Sequence, residues 1–321
     1  MWLRAFLYSS GMLAAKRLPR PVVSVGNITV GGTGKTPVAA WLARKLMEQG
    51  HRVAVLSRGY GGRLEGKNAI VSEGGNILLS AAECGDEPYL LAATVPGLHV
   101  VIGSNRYQAG MLAMEKLNPD IFLLDDGFQH IRLHRDMNIL LLDCERPFGN
   151  GWTLPAGLLR EPRCAVLRAD WIIRTRCREV PIYIPGLNIP EVVGRHELRD
   201  IVPLLGGESL ETDYLRGKKI VAFAGIAQPE LFFDDLRRCG AEPLHTLTLP
   251  DHARYDAELV AVILDMLKTS GAAFAVTTEK DAVKMRDAQL PDNCRIMVAR
   301  LDIRIEEESI IGNITNLLQK T

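Results

Sequence analysis

The chain has 321 residues, 47% of them hydrophobic, and its 38 lysines and arginines are matched by 38 aspartates and glutamates. That length and composition suit two domain cores, and the zero net charge excludes a global field that would recruit nucleic acid. Its six cysteines (Cys84, Cys144, Cys164, Cys177, Cys239 and Cys294) form no Cys-x-x-Cys pair, so neither a zinc site nor a disulfide framework is expected; they read as small buried hydrophobes in a reducing compartment.

Residues 1–20 carry Arg4, Lys16, Arg17 and Arg20 without an acid, interleaved with Trp2, Leu3, Phe6, Leu7, Tyr8, Met12 and Leu13. This mixture suits a helix lying in the headgroup plane of an anionic membrane. It is too short and interrupted to span, since a spanning helix needs about 20 mostly apolar residues. A signal peptide would want a small-x-small cleavage site, which does not precede Lys16-Arg17. A helix docked on the protein itself is the other alternative.

Residues 22–36 read VVSVGNITVGGTGKT, an apolar strand breaking into a glycine-rich turn that ends in Gly34, Lys35 and Thr36. Glycines let backbone N–H groups converge on one point, and the following helix adds its positive end. Lys35 supplies a cation and the Thr36 hydroxyl a ligand for Mg²⁺, so Thr29, Gly31, Gly32, Thr33, Gly34, Lys35 and Thr36 are the expected phosphate cradle. The usual G-x-x-x-x-G-K-[ST] pattern would place its first glycine at 29, where this chain has Thr29. The cradle is a variant, and it points away from the commonest GTPases.

After the cradle, residues 37–49 repeat apolar positions at helical spacing and Gly50 stops them. Strand-like runs follow at 52–57, 99–102, 121–125, 138–143 and 170–174, alternating with helical stretches at 86–95 and 105–117. Continuous apolar strands between helices predict a parallel sheet covered on both faces, with phosphates at the strands' carboxyl ends. Regularity fails over 178–217, where prolines and glycines mix with charges, and a linker is placed there. A second α/β set follows: 219–225, a helix to about 239, a strand before Pro250, a helix over 256–269, strands at 273–278 and 296–299, and an amphipathic helix over 306–320. The expected division is a membrane-surface helix at 1–20, a P-loop domain at 21–178, a linker at 179–217 and a smaller α/β domain at 218–321.

In IFLLDDGFQH (121–130), Asp125 and Asp126 end an apolar strand downstream of the cradle, as a Walker B acid does when it serves a nucleotide-bound Mg²⁺. Spacing alone leaves open which of the two meets the metal. Asp86 and Glu87 stand at a helix start in ECGDEPYLLA (83–92), where Asp86 is either a cap or a base for a hydroxyl. His252, beside Asp251, is either structural or one half of an Asp–His pair, base and orienter, that would have to meet across an interdomain cleft. Arg58 in SRGYGG, Arg106 in SNRY, and Arg160 with Glu161 in LPAGLLREP are further candidates, since guanidinium forks suit phosphate oxygens. A guanine reader would want T-K-x-D, but Thr278-Glu279-Lys280-Asp281 puts its lysine one place late.

Taken in order, VGNITVGGTGKT, LSRGYGG, GDEPYLLA, SNRY, LDDGFQH, LPAGLLREP, PDH and TTEKD resemble the tetraacyldisaccharide 4′-kinases of lipid A biosynthesis, over residues 22 to about 285. The resemblance implies ATP-dependent phosphorylation, with Mg²⁺, of the 4′-hydroxyl of a tetraacylated glucosamine disaccharide 1-phosphate at the cytoplasmic face of the inner membrane. It implies that Lys35 holds the phosphates, that Thr36 with Asp125 and Asp126 serves Mg²⁺, and that Asp86 is the base with His252 as its partner. Arg160 and Glu161 would act near the transferred phosphate or the metal, and Gln129 and His130 would help arrange the site. The segment ahead of the cradle strand is shorter than the family commonly carries, so peripheral membrane association is expected. No nucleic acid or obligate protein partner is expected. A nucleotide-switch protein and a soluble small-molecule kinase are the competing readings.

Overall fold

The computed structural model describes residues 8, 12–177, 180–251, 253–285, 290–291, 294–305 and 309–319. Most of the expected surface helix at 1–20, and His252, lie outside the described residues. The chain divides into two compact units, Met1–Arg195 with Ile303–Thr321, and His196–Asp302.

The strands are β1 (Val22–Asn27), β2 (Val53–Ser57), β3 (Ala69–Glu73), β4 (Asn76–Ile77), β5 (His99–Ile102), β6 (Ile121–Asp125), β7 (Met137–Asp143), β8 (Trp171–Thr175), β9 (Glu191–Pro203), β10 (Leu210–Glu211), β11 (Lys219–Ala224), β12 (Glu242–Thr248), β13 (Phe274–Thr278) and β14 (Ile296–Ile305). In the first unit the order is β9-β8-β7-β1-β6-β2-β5-β3-β4. Every pairing from β9 to β5 is parallel, and the β3–β4 hairpin closes the edge antiparallel to β5. Strand β1 is buried along its whole length because both neighbours and both faces are covered. On one face, helix Lys35–Glu48 packs Val38, Leu42 and Leu46 against Val23, Val25 and Leu123. On the other, Ala109 and Ala113 of helix Arg106–Leu117 meet Phe122 and Leu124. The small residues let that helix approach closely.

In the second unit β12-β11-β13-β14 are parallel. Helix Pro229–Arg238 supplies Phe233 and Leu236 to one core, and helix Ala257–Ser270 supplies Ile263 and Leu267 to the other. The Asp281 carboxylate is fully buried, accepting Gly225 N–H at 2.9 Å and Thr278 Oγ1 at 2.8 Å. The aspartate of TTEKD therefore ties the ends of β11 and β13 together.

Two boundaries differ from the sequence expectation. The segment placed as a linker holds the thirteen-residue β9, whose burial alternates instead of forming an apolar run; Arg195, Glu197 and Arg199 on its open face hid it. The last helix, Ser309–Gln319, belongs to the first unit and not to the one preceding it in sequence. Its Ile310, Ile311 and Ile314 join the core beneath helix Lys35–Glu48. Among the described residues no helix is long and apolar enough to cross a membrane.

Candidate active site

The site is built at the carboxyl end of β1. Parallel registry places Val25 opposite Asp125, so the cradle and the acidic pair leave the sheet at the same level. Gly34 then takes a left-handed conformation (φ 80°, ψ 27°) as the helix N-cap, which a side chain would strain. Thr33 faces inward: it is 4% exposed, its hydroxyl accepts from Asn27 Nδ2 at 2.8 Å and its carbonyl from Thr175 Oγ1 at 3.0 Å. What Thr33 gives the cradle is bracing.

The LPAGLLREP segment reaches the cradle through backbone pairing. Val30 N–H donates to Leu158 O at 2.8 Å and Arg160 N–H to Ile28 O at 2.7 Å, with Thr29 bridged antiparallel to Leu159. This carries Arg160 to Asp126, whose two oxygens its Nη1 meets at 3.0 and 2.8 Å. Lys35 Nζ stands 3.7 Å from the same carboxylate. Burial alone would raise the Asp126 pKa, but Lys35 and Arg160 outweigh it and hold the group below the usual carboxylate range. Asp126 has φ 51°, a conformation aspartate tolerates better than most residues.

Asp125 is different. It is 2% exposed, accepts a long hydrogen bond from Ser57 Oγ at 3.4 Å, and its Oδ1 has no hydrogen-bond partner. Burial, then the charges of Glu87 and Asp126, push its pKa up to about 7. The buried Arg106, which donates Nη1–H to Gly103 O at 2.7 Å, offsets this in part. Burial brings Arg106 itself down to about 10, so it stays charged near neutrality. Arg58 lies on the surface, with Nε 3.2 Å from Glu65 Oε1.

A stability prediction follows from Asp125. Its pKa rises from an ordinary 3.8 to about 7 on folding, so the folded chain holds a proton that the unfolded chain has released, and stability falls as pH rises through that window. Asp125→Asn should remove this dependence, making the ligand-free variant more stable than the parent at about pH 8 but not at about pH 4. Urea unfolding at both values checks it; parallel pH dependence in the two proteins would refute the assignment.

Gln129 and Glu161 form a second layer. Gln129 Nε2 donates to Asn27 O at 2.8 Å and to Glu161 Oε1 at 2.9 Å, while Arg168 Nη2 grips the Glu161 carboxylate at 2.8 Å. Glu161, expected near the metal, thus has Gln129 and Arg168 as its partners in this structure. The backbone N–H of His130 donates to Gly127 O at 2.9 Å.

Asp86 opens helix Asp86–Thr94, but the N-cap is Gly85 (φ 92°), and no side-chain cap hydrogen bond is present. A Cβ on Gly85 would lie 2.5 Å from Tyr60 O, so glycine lets the GDEP corner press against the SRGYGG loop. Glu87, next in sequence, raises the Asp125 pKa through its charge, which links that corner to the acidic pair. Sequence reasoning left Glu87 out of the site, and left out Arg135 and Arg168 because lone arginines in irregular segments carry no signal.

Cys144 and Cys177, at the ends of β7 and β8, are both buried and lie side by side with Cα atoms 5.0 Å apart. Parallel strands brought these distant positions together, and spacing in sequence could not show it.

Among the described residues no group of three or more His, Cys, Asp or Glu could hold a metal by itself. The donor set fits Mg²⁺, which uses one or two carboxylates and completes its shell with water and phosphate oxygens. The buried Asp125 Oδ1, which has no hydrogen-bond partner, is a carboxyl oxygen of the right hardness that a bound cation would favour in its ionised form, and Thr36 sits in the first turn of the adjoining helix.

A family model described as tetraacyldisaccharide-1-P 4′-kinase matches residues 1–319. A tetraacyldisaccharide 4′-kinase of Pelobacter propionicus is 55% identical over 320 residues, covering 99% of this chain and 89% of the relative. One of Geobacter metallireducens is 55% identical over 283 residues, covering 88% and 84%. The crystal structure of the "apo" form of LpxK from Aquifex aeolicus in complex with ATP superposes with a TM-score of 0.80 at 34% identity, covering 98% of this chain and 94% of that one.

Proposed function

The chain belongs to the tetraacyldisaccharide-1-P 4′-kinase family, and from that premise we propose how its residues divide the work of moving the γ-phosphate of ATP to the 4′-hydroxyl of a tetraacylated disaccharide 1-phosphate. The observation that carries the reading is the meeting of Lys35, Asp126 and Arg160 at the head of the glycine turn. Phosphoryl transfer asks a protein mainly for positioning and for charge placed where the phosphoryl oxygens develop theirs.

In this reading the cradle from Thr29 to Thr36 wraps the β- and γ-phosphates, and Lys35 turns from Asp126 toward their oxygens. Arg160 stays on Asp126 and presents its remaining N–H groups to the transferred phosphoryl. Asp125 and Thr36 would hold Mg²⁺, which when bound would neutralise phosphate charge. The sugar oxygen forms its bond to the γ-phosphorus as the bond to the β-phosphate oxygen breaks; Asp86 takes the hydroxyl proton, and ADP leaves with the electron pair. Arg58, exposed beside that corner, is the proposed contact for acceptor phosphate, and Arg106 keeps the acidic pair ionisable. His252 keeps the role of partner to the base on the family resemblance alone. The basic, apolar residues 1–20 support peripheral association with an anionic leaflet on the cytoplasmic side.

The deciding experiment incubates the full chain with Mg-ATP and tetraacyldisaccharide 1-phosphate in mixed micelles and weighs the lipid by mass spectrometry. A product heavier by one phosphate is expected, and its absence refutes the reading. Deleting residues 1–16 should depress turnover of lipid presented in anionic vesicles while ATP affinity stays; equal turnover would refute the membrane-surface role.

A further inference from the structure

We propose that Arg168 is a positioning residue for phosphoryl transfer, gripping Glu161 so that Gln129 keeps Arg160 seated on Asp126. The inference rests on the kinase reading above and adds to it a residue with no place in the cradle or its acidic pair.

The chain of contacts is continuous. Arg168 ends the short 3-10 turn Arg163–Arg168, and its guanidinium lies 4.6 Å over the ring of Phe128, which is fully buried. From that seat Nη2 donates to Glu161 at 2.8 Å. Glu161 is 5% exposed, so its charge needs a partner that cannot wander. Its Oε1 also accepts from Gln129 Nε2 at 2.9 Å, and the same amide nitrogen donates to Asn27 O at 2.8 Å. Two acceptors on one nitrogen fix the amide's orientation and turn Gln129 Oε1 toward Arg160, whose Nη1 stands 3.5 Å away. Arg160 then reaches Asp126 at 2.8 Å.

A second arginine sets the other side. Arg135 Nη1 donates to Phe128 O at 2.9 Å and Gly127 O at 3.3 Å, pinning the loop that follows the acidic pair. Its pKa is lowered to about 10 by burial and then by Arg168, with Glu161 opposing. Arg135 thus feels the charges of both Glu161 and Asp170, whereas Arg168 is the guanidinium in direct contact with Glu161. Truncating Arg168 leaves a buried carboxylate short of its closest cation, and the adjustment travels through Gln129 to Arg160. A purely structural role would move the melting point and leave turnover per folded molecule alone.

The test compares Arg168→Lys, Arg168→Met, Glu161→Gln and the double variant Glu161→Gln/Arg168→Met with the parent in the lipid phosphorylation assay, alongside thermal midpoints and calorimetric titration with ATP. Expected are a kcat lower by on the order of 10-fold for Arg168→Lys and 100-fold for Arg168→Met, the scale found for partners that orient a reacting shell. ATP affinity should stay near that of the parent. The double variant should cost less than the product of its single effects, because the pair acts as a unit. Should Arg168→Met not fold, Arg168→Lys decides by its kcat. Turnover of Arg168→Lys near the parent's, or weakened ATP binding with kcat unchanged, overturns the proposal while the parent's activity upholds the kinase reading. A parent that forms no product overturns both.

Discussion

Lys35→Ala should lower kcat/KM for ATP on the order of 10³-fold, because it removes a fixed cation from a site that works by charge placement. Lys35 is the first residue of helix Lys35–Glu48, held there by the left-handed turn at Gly34. Its side chain is 12% exposed and its ammonium 3.7 Å from Asp126, so it acts in a partly desolvated setting where charge counts for more than in water. Without it, Asp126 keeps its ion pair with Arg160 and the charge of Arg106 but loses its second ion-pair partner, and it repels the arriving phosphates. Alanine favours helix, so the first turn survives and the loss is chemical. Steady-state kinetics and calorimetric titration with ATP should show both affinity and turnover falling, with an unchanged thermal midpoint. Retention of both within a few-fold would mean that the glycine turn does not hold the phosphates.

The first unit was largely legible in the chain because its strands are buried on both faces. Runs such as IFLLD and NILLLD have little choice but to lie between helices, and β6 and β7 fall where those runs stand. Strand β9 escaped because charged residues recur along its exposed positions, and the home of helix Ser309–Gln319 escaped because an apolar stripe does not say which core receives it. At the site, the glycines and the aspartate pair announced themselves through spacing within one motif. What spacing could not convey was the pairing of residues 28–30 with 158–160, which turns two separate strings into one cluster. It could not rank the two aspartates either. The structure separates them by environment: Asp125 is buried and pushed up, whereas Asp126 is gripped by two cations and held down. Glu161 shows the converse difficulty, for the motif that announced it did not name Arg168 and Gln129 as its partners.

Asp86→Asn should separate the two roles that the sequence left open for this residue. If Asp86 accepts the hydroxyl proton, the amide should lower kcat by on the order of 10² to 10⁴-fold, the range for loss of a general base, while ATP affinity is kept. If it serves only to favour the start of helix Asp86–Thr94, the change should cost about 0.5 kcal/mol of stability, the scale of one acid at a helix N-terminus, and turnover should survive. The N-cap position belongs to Gly85, and Asp86 is the first residue inside the helix. The corner is also firmly placed. Arg63 N–H donates to Ala82 O at 2.9 Å and Leu64 N–H to Glu83 O at 3.0 Å, so the amide variant should keep the backbone and isolate the chemistry. A single-turnover measurement with saturating ATP makes the distinction clean, since product release no longer limits the observed rate. A rate equal to the parent's would leave Asp86 a helix-start acid and move the search for the base to Glu87, whose charge already bears on the Asp125 carboxyl.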